Sequence, residues 1–331
     1  MSTYYLGIDI GATKSHALIA DESGQVVGFA ESGSGKRQGN DYSRVGRVVN
    51  AITDKALALA GLEKTQIAGA GFGISDYDWP SQRAPHVAQI ETLELAAPYE
   101  LVNDAVIGLL AGAAEGWGLC LIAGTGCNCW GLTADRRTGH VTGFGVRFGE
   151  GAGAYELVFR AIQVVSAAWS KSGPPTQLTA AFCDLVGAAD ADDLIEGLTL
   201  ERYHIPPSAA PLVFQAAEAG DAVAVEVLAW AGRELARMAE GVIHQIGLEN
   251  DTFEVVLAGS LYKGGALLID PLRAALHAVA PGAQLVHLNA PPVIGGVVLG
   301  MEQGGLDRRA IQQAREHMVT TASAAIQQLA T

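Results

Sequence analysis

Residues 6–29 read LGIDIGATKSHALIADESGQVVGF, and residues 119–144 read LCLIAGTGCNCWGLTADRRTGHVTGF. The two stretches match element by element once two small gaps are allowed. Each has an apolar strand, a turn with Gly and Thr, a second strand, a hairpin turn closed by glycine, and a third strand that ends at Phe29 or Phe144. The chain therefore contains two copies of a three-stranded meander.

Helical and strand patterns alternate after each copy, with apolar residues at helical spacing in the helices and short apolar runs in the strands. This alternation predicts two similar α/β domains, at residues 1–115 and 116–306, with a cleft between them. We expect an amphipathic helix at residues 307–330 to pack back on the first domain. Clefts between domains are the usual place for a small-molecule site.

The composition excludes several classes of protein. The chain has 331 residues, of which 49% are hydrophobic and 17% charged, which is enough apolar material for two cores. The formal net charge is −14, and a surface this acidic repels nucleic acid. Four cysteines without a CxxC and eight histidines without an HExxH indicate neither a disulfide framework nor a zinc or iron–sulfur site.

The N-terminus lacks the basic and apolar regions of a signal peptide, and no apolar run reaches the ~18 residues of a membrane span. We therefore expect a cytoplasmic protein that does not engage a membrane.

The first candidate site is the turn after the first strand, Gly7–Lys14. Amides of such a turn can cradle phosphate oxygens, and Thr13 adds a hydroxyl donor. Asp9 at the strand end is placed to hold a hydrated cation through water. A tight hairpin with a capping Asp explains the same residues equally well, and the pattern is neither a Walker A loop nor a dinucleotide-binding GxGxxG.

The second candidate is the equivalent turn of the second copy, Gly124-Thr125-Gly126. One glycine turn is weak evidence for phosphate binding, but two in equivalent positions of a repeat are stronger. A third glycine turn, at Gly259 and Ser260, follows an apolar strand and would let backbone approach a flat ring, with Tyr262 lining it. A plain strand-to-helix turn is the alternative there.

Asn103-Asp104 follows a short strand and precedes a helix. Taken from the residues alone, Asp104 is favoured as the N-cap of that helix, because Asp is a preferred capping residue. The competing interpretation makes Asp104 a general base that accepts a proton from an attacking hydroxyl, as phosphoryl transfer requires.

In this order, the residues resemble the N-acetylglucosamine kinases and the related BadF-type ATPases, members of the superfamily of actin, sugar kinases and heat-shock ATPases. The resemblance runs from Tyr5 to about Gly300. Its anchors are GxDxGxTxS from Gly7, NDA from Asn103, AGTGxNC from Ala123, GS at Gly259 and GG at Gly295.

The resemblance implies two ribonuclease H-like domains of the actin-like ATPase type, and an enzyme that uses ATP and Mg²⁺. It makes Asp104 the catalytic base, which reverses the preference for a cap. The implied nucleotide-binding residues are Gly11, Thr13, Lys14, Gly124, Thr125, Gly126, Gly259 and Ser260. The implied sugar-binding residues are Asn40, Ser75, Asp76, Asp104, Gly143, Phe144, Gly145 and Glu150. Kinases of this kind are often dimers, so a homodimer is also an expectation.

The chain departs from the family pattern on the sugar side. Gly149-Glu150-Gly151-Ala152-Gly153 stands where the family usually has Gly-Asp-Glu-Gly-Ser, and Phe144 replaces the usual tryptophan. Asn40 sits in a loop longer than that of some members. These changes bear on the identity of the sugar more than on the use of ATP.

The expected function is transfer of the γ-phosphate of ATP to an amino sugar, with N-acetylglucosamine 6-phosphate as the product, and glucosamine as the alternative substrate. Two other classes fit the fold. An ATPase that drives a partner enzyme would carry a cluster-binding cysteine set, which is missing here. A sugar-sensing regulator usually carries a DNA-binding segment, whereas this chain starts directly with its first strand.

Overall fold

The computed structural model describes residues 2–329, so Ala330 of the predicted last helix lies outside the described residues. The first half of the chain follows the order β-β-β-α-β-α-β-α. Its elements are β1 (Tyr4–Ile10), β2 (Lys14–Asp21), β3 (Val26–Gly33), α1 (Ser43–Ala60), β4 (Ile67–Ile74), α2 (Arg83–Ile90), β5 (Tyr99–Asn103) and α3 (Asp104–Gly112).

The second half repeats this order with additional helices inserted after its third strand. Its elements are β6 (Gly118–Ala123), β7 (Cys127–Leu132), β8 (Thr138–His140), α4 (Ala154–Trp169), α5 (Leu178–Val186), α6 (Ala191–Thr199), α7 (Ala210–Glu218), α8 (Ala222–Ile246), β9 (Phe253–Ala258), α9 (Ala266–Val279), β10 (Ala283–His287), α10 (Val293–Gln303) and α11 (Arg308–Leu329).

Each half forms a five-stranded sheet with the same order of strands. The orders are β3-β2-β1-β4-β5 and β8-β7-β6-β9-β10. In each sheet the second strand runs antiparallel to the first, and the fourth runs parallel to it. The predicted α/β class and the internal repeat are thus confirmed. No helix within residues 2–329 is long and apolar enough to cross a membrane.

The structure differs from the sequence-based expectation at three places. The third strand of the second copy ends at His140 rather than at Phe144, because the amides of Thr142 and Phe144 donate to Glu150 and not to a neighbouring strand. The sequence pattern also predicts a helix from Arg83 to Ala96, but α2 ends at Ile90 and continues as a 3₁₀ turn. The sequence patterns did not predict α6, which Asp190 caps through the amide of Asp193.

Helix α10 comes late in the chain but packs on β1, β4 and α3 of the first half. A Cβ atom on Gly7 would lie 2.4 Å from the nitrogen of Val297, and one on Gly71 would lie 2.2 Å from the oxygen of Gly296. These are backbone atoms, so no side-chain rotation can relieve the overlap. The strands therefore need glycine wherever α10 crosses them.

The last helix, α11, packs on β3 and α10. At the hairpin between β2 and β3, a Cβ on Gly24 would lie 2.3 Å from the oxygen of Ala314. Buried residues of α3, α10 and α11 share one apolar cluster with residues of β6 and β7. The division of the chain near residue 115 into two domains remains a proposal, because α10 and α11 follow the second sheet in sequence and pack against strands of the first.

Replacing Gly71 by Ala should lower the free energy of unfolding by about 2–3 kcal/mol, because the added methyl group must displace the backbone of α10. The matched control is Gly33→Ala in β3, where an added Cβ would meet nothing within 4 Å. That control should stay within about 0.5 kcal/mol of the parent. Urea denaturation of the two variants is the measurement, and equal losses in both would contradict the packing argument.

Candidate active site

The carboxyl ends of three neighbouring parallel strands meet at one edge of the first sheet. Ile10 of β1 pairs with Ile74 of β4, which pairs with Asn103 of β5. Beyond the strand ends, the amide of Ser75 donates to the oxygen of Ile10 at 2.9 Å. This edge brings together the predicted residues Asp9, Ser75, Asp76 and Asp104, in the position where open α/β sheets bind ligands.

The second sheet forms a similar edge from the turns after β6 and β9. The amide of Gly124 donates to the oxygen of Gly126 at 2.9 Å, which closes the first of these turns. Gly259 has φ 111°, and a Cβ there would lie 2.3 Å from the oxygen of Ala123, so only glycine fits. Thr125 and Gly126 are exposed, and Gly124 and Gly126 face open space. The turn therefore leaves its outer side free for a ligand.

Asn103, and not Asp104, caps helix α3. The Oδ1 atom of Asn103 accepts a hydrogen bond from the amide of Ala105 at 2.9 Å, and Asn103 has the extended backbone of an N-cap. Asp104 is the first residue of the helix. The prediction from the residues alone that Asp104 is the N-cap is therefore wrong. The preceding asparagine fills that role, so the Asp104 carboxylate is not used for capping.

The environment of Asp104 favours its protonated form. Burial, followed by the charges of Asp9 and Asp78, raises the pKa of Asp104 to about 7, against a lowering contribution from the amide of Ala105. A helix N-terminus alone would lower the pKa of a carboxyl group. Burial and neighbouring carboxylates therefore outweigh the helix, and they bring Asp104 into the range where a general base works best near neutral pH.

Asp9 belongs to a small polar cluster at the start of β2. Its Oδ2 atom lies 3.6 Å from Nδ1 of His16, whose Nε2 is 3.2 Å from Glu31. Burial lowers the pKa of His16, but hydrogen bonds and charges from Asp9 and Glu31 outweigh it, so the pKa is raised overall. Lys14, predicted to bind nucleotide, pairs with Glu31 at 3.1 Å and is mostly exposed.

The predicted sugar residues of the first half lie on two loops that touch each other. Lys36, in the loop that carries Asn40, forms a salt bridge with Asp76 at 2.9 Å. Asp76 has φ 67°, a left-handed conformation that Asp tolerates better than most residues. Asn40 is exposed, whereas the buried hydroxyl of Ser75 has no hydrogen-bond partner among the described residues.

Glu150 braces the loop predicted to hold the sugar from the second half. Its carboxylate accepts from the amide and the hydroxyl of Thr142, at 2.8 and 2.9 Å, and from the amide of Phe144 at 2.9 Å. A carboxylate offers roughly four acceptor positions, so about one remains for a ligand. Phe144 is 58% exposed, and Gly143 and Gly145 both have positive φ.

Sequence reasoning missed Glu156, which is buried beneath the same loop. Its Oε2 accepts from the amide of Gly153 at 2.9 Å, and a Cβ on Gly145 would lie 2.3 Å from its Oε1. Burial raises the pKa of this carboxyl group. The spacing Gly-x-x-Glu before an apolar helix is the signal that could have indicated it, since Glu at the third helical position often reaches back to the cap amide.

Tyr262 does not line a ligand site, contrary to the prediction. The side chain is buried, and its hydroxyl donates to the oxygen of Leu121 at 3.2 Å. The 3₁₀ turn from Ser260 to Gly264 directs the ring inward. Ser260 itself is exposed at the start of this turn.

Within residues 2–329, no group of three or more His, Cys, Asp and Glu side chains could hold a metal ion by itself. The oxygen chemistry at the first edge nevertheless suits a hard cation that keeps most of its water, because Asp9 is a partly exposed carboxylate at a strand end. The two turns offer amide and hydroxyl donors but few cations, which fits phosphate groups that bring their own counter-ion.

The model of the BadF/BadG/BcrA/BcrD ATPase family matches residues 6–300 of this chain. The chain therefore belongs to this family of ATPases. It is similar to an N-acetylmuramic acid/N-acetylglucosamine kinase of Clostridium acetobutylicum, with 24% identity over 91% of this chain and 99% of that protein. An N-acetyl-D-glucosamine kinase of Dictyostelium discoideum is 23% identical over 90% of this chain and 97% of its own length.

A glucosamine kinase of Vibrio cholerae is 30% identical over 68% of this chain and 75% of that protein. Among solved structures, a Chromobacterium violaceum protein described as a candidate N-acetylglucosamine kinase has a TM-score of 0.60 and 23% identity, and the match covers 90% of this chain and 98% of that one. At this identity the structural match supports the actin-like fold and nothing finer.

The pKa of Asp104 predicts how stability depends on pH. The folded state holds a proton that the unfolded state releases above about pH 4, so the free energy of unfolding falls as the pH rises toward about 7. Asp104→Asn removes this loss and should be more stable than the parent at about pH 8, by on the order of 1–3 kcal/mol. The gain should shrink toward pH 4. Urea denaturation of parent and variant at pH 4 and pH 8 is the measurement. A difference in the free energy of unfolding that is the same at both pH values would refute the argument.

The bracing role of Glu150 predicts local loosening in Glu150→Gln, because glutamine has one acceptor oxygen where the carboxylate uses two. The amides of Thr142 and Phe144 should exchange hydrogen about 10-fold faster, since losing such a bond costs about 1–2 kcal/mol. Hydrogen exchange measured by mass spectrometry tests this. The matched control is Glu226→Gln on α8, whose side chain is 68% exposed, and equal exchange in both variants would contradict the role.

Proposed function

We propose that this protein is an ATP-dependent amino-sugar kinase that converts N-acetylglucosamine to its 6-phosphate. The observation that carries the proposal is Asp104: it follows a capping asparagine, stands at an edge with Asp9 and Ser75, and has a pKa raised to about 7. A base with this pKa is suited to accept the proton of a sugar hydroxyl as the phosphoryl bond forms.

The two glycine turns are proposed to hold the nucleotide. Thr13 and Thr125 donate their hydroxyls to phosphate oxygens, and the amides around Gly11 and Gly124 surround them. These donors are fixed by the turns before the ligand arrives, which is how charge on a transferring phosphoryl group is stabilised at least cost. Lys14, Gly126, Gly259 and Ser260 complete the proposed set, with Gly259 and Ser260 beside the adenosine.

Mg²⁺ is proposed as the ion bound with ATP, held by Asp9 through water, and it neutralises charge on the phosphates. The sugar is proposed to lie between the loop of Asn40, the turn of Ser75 and Asp76, and the braced loop of the second half. Gly143, Phe144 and Gly145 present backbone and one aromatic ring there, and Glu150 keeps them in place with about one acceptor position to spare.

Glucosamine is the second candidate substrate, because the Vibrio cholerae relative is named for it and is 30% identical to this chain. The altered sequence at Glu150–Gly153 lies on the sugar side of the proposed site. We also propose a cytoplasmic location and a homodimer, neither of which has any bearing on the chemistry.

The test is release of ADP from Mg-ATP in the presence of single sugars. N-acetylglucosamine should stimulate release most, compared with glucosamine, N-acetylmannosamine, N-acetylgalactosamine, N-acetylmuramic acid and glucose. Asp104→Ala should lower kcat by about 10²–10⁴-fold, which is the usual contribution of a general base. Mass spectrometry of the product locates the new phosphate.

The matched control is Asp54→Ala, which removes an exposed carboxylate of α1 that forms a salt bridge with Lys64. This variant should keep the parent's rate. If no sugar stimulates ADP release while ATP still binds, the kinase proposal fails, and a partner-driving ATPase or a sensor replaces it. If a sugar is phosphorylated but Asp104→Ala keeps the parent's rate, the assignment of the base fails alone.

A further inference from the structure

The loop between β4 and α2, residues 75–79, reaches across to the residue that precedes the proposed base. Asn103 is 1% exposed, and its Nδ2 atom donates to Oδ1 of Asp78 at 2.9 Å and to the oxygen of Tyr77 at 3.2 Å. Its Oδ1 atom accepts from the amide of Ala105. One asparagine side chain thus joins this loop to the first turn of α3.

The loop itself is held by polar contacts at several points. Oε1 of Gln82 accepts from the amides of Asp78 and Trp79, both at 2.8 Å, and Lys36 pairs with Asp76. The ring of Trp79 meets His140 of the second half edge-on, with 5.4 Å between centroids. The loop is therefore held in place by contacts of its own. Its hydrogen bonds with Asn103 can then fix the orientation of that side chain.

The supported side chain borders a cavity. Asp78, Trp79 and Asn103 border a cavity of about 510 Å³ between the two halves of the protein. Asn103 is nevertheless buried, and leaving a buried amide group without hydrogen bonds destabilises the folded state. The orientation of Asn103 therefore depends on its hydrogen bonds, and the link from Asp78 is one of only two that its amide group donates.

We propose that Asp78 is a positioning residue for the proposed base: through Asn103 it sets the first turn of α3 and with it the Asp104 carboxylate. This inference rests on the proposed function, because it needs Asp104 to be the base. Asp104 is the residue directly after Asn103, so a rotation of the cap changes the direction of its carboxylate. A displacement of about 1 Å at a reacting group is enough to lower a rate by about 10²-fold.

The experiment compares kcat and KM for variants at the two ends of the link. Asp78→Ala should lower kcat by about 10–100-fold while KM for ATP changes by less than about 3-fold, because the nucleotide turns are untouched. Asp78→Asn retains an oxygen that can accept from Asn103 and should recover most of the loss. Asn103→Ser keeps a good N-cap but loses the link, so its kcat should fall like that of Asp78→Ala.

The double variant Asp78→Ala/Asn103→Ser should lose no more than either single variant, because both changes break one link. The matched control is Asp221→Ala, which removes a buried carboxylate that caps α8, far along the chain from the proposed base. It should be less stable than the parent and keep kcat. Asn103→Ser and Asp78→Asn keep the test decisive if Asp78→Ala does not fold.

The outcomes separate the inference from the function on which it rests. If Asp104→Ala is inactive but Asp78→Ala and Asn103→Ser keep the parent's kcat, the positioning role is overturned and the proposed function stands. Additive losses in the double variant would also overturn it, because the two residues would then act separately. If Asp104→Ala is fully active, the assignment of the base fails first and the inference fails with it.

Discussion

Helix α10 packs directly on the backbone of β1 and β4. The short distance between helix and strands constrains most of the molecule. The overlap would be severest at Gly295, where a Cβ would lie 1.8 Å from the oxygen of Ile107 in α3. The depth of α10 therefore fixes both the first sheet and the axis of α3. Because α3 begins at Asp104, backbone packing in the centre of the protein determines where the proposed base stands.

The electrostatics of the site act against stability. Asp9, Asp76, Asp78 and Asp104 crowd one sheet edge of a protein whose net charge is already −14. Lys36 offsets part of this charge through its salt bridge with Asp76. A carboxyl group with a raised pKa makes the folded state less stable near neutral pH, and such a cost is usual where a function needs it.

The sequence was sufficient to predict the repeat, because each strand is a short apolar run with a turn residue at its end, as at Gly24 and Gly126. It also predicted that Asp9 lies near the end of a strand and that Asp104 directly follows one, as they do in the structure. From the residues alone it favoured Asp104 as the cap of α3, because both Asn and Asp are good caps and only the fold shows that the side chain of Asn103 accepts a hydrogen bond from the amide of Ala105. The bracing role of Glu150 was also not predicted, because its three donors, the amide and hydroxyl of Thr142 and the amide of Phe144, lie in a loop that local patterns extend as strand.

Long-range contacts account for the remaining differences. Asp78 lies 25 residues before Asn103, and no pattern in either segment predicts the hydrogen bond between their side chains. Tyr262 has the exposure of a core residue because a 3₁₀ turn rotates it inward, which a glycine-rich stretch leaves undetermined. Contacts of this kind depend on how the sheets are assembled, so they are predictable only after the topology is known.

The two copies of the repeat have the same topology but different chemistry at their strand ends. Asp9 pairs across the sheet with Gly73, whereas Ile122 stands near the corresponding end of β6 and pairs with Ala258. The carboxylates of Asp9, Asp76, Asp78 and Asp104 thus cluster at the first edge, whereas the Gly124–Gly126 turn of the second half offers uncharged donors. Phosphate groups are therefore repelled less at the second edge. The first edge offers more acceptor oxygens, to which sugar hydroxyls can donate hydrogen bonds. This asymmetry favours a nucleotide held mainly by the second half, with its terminal phosphate directed toward an acceptor beside Asp104.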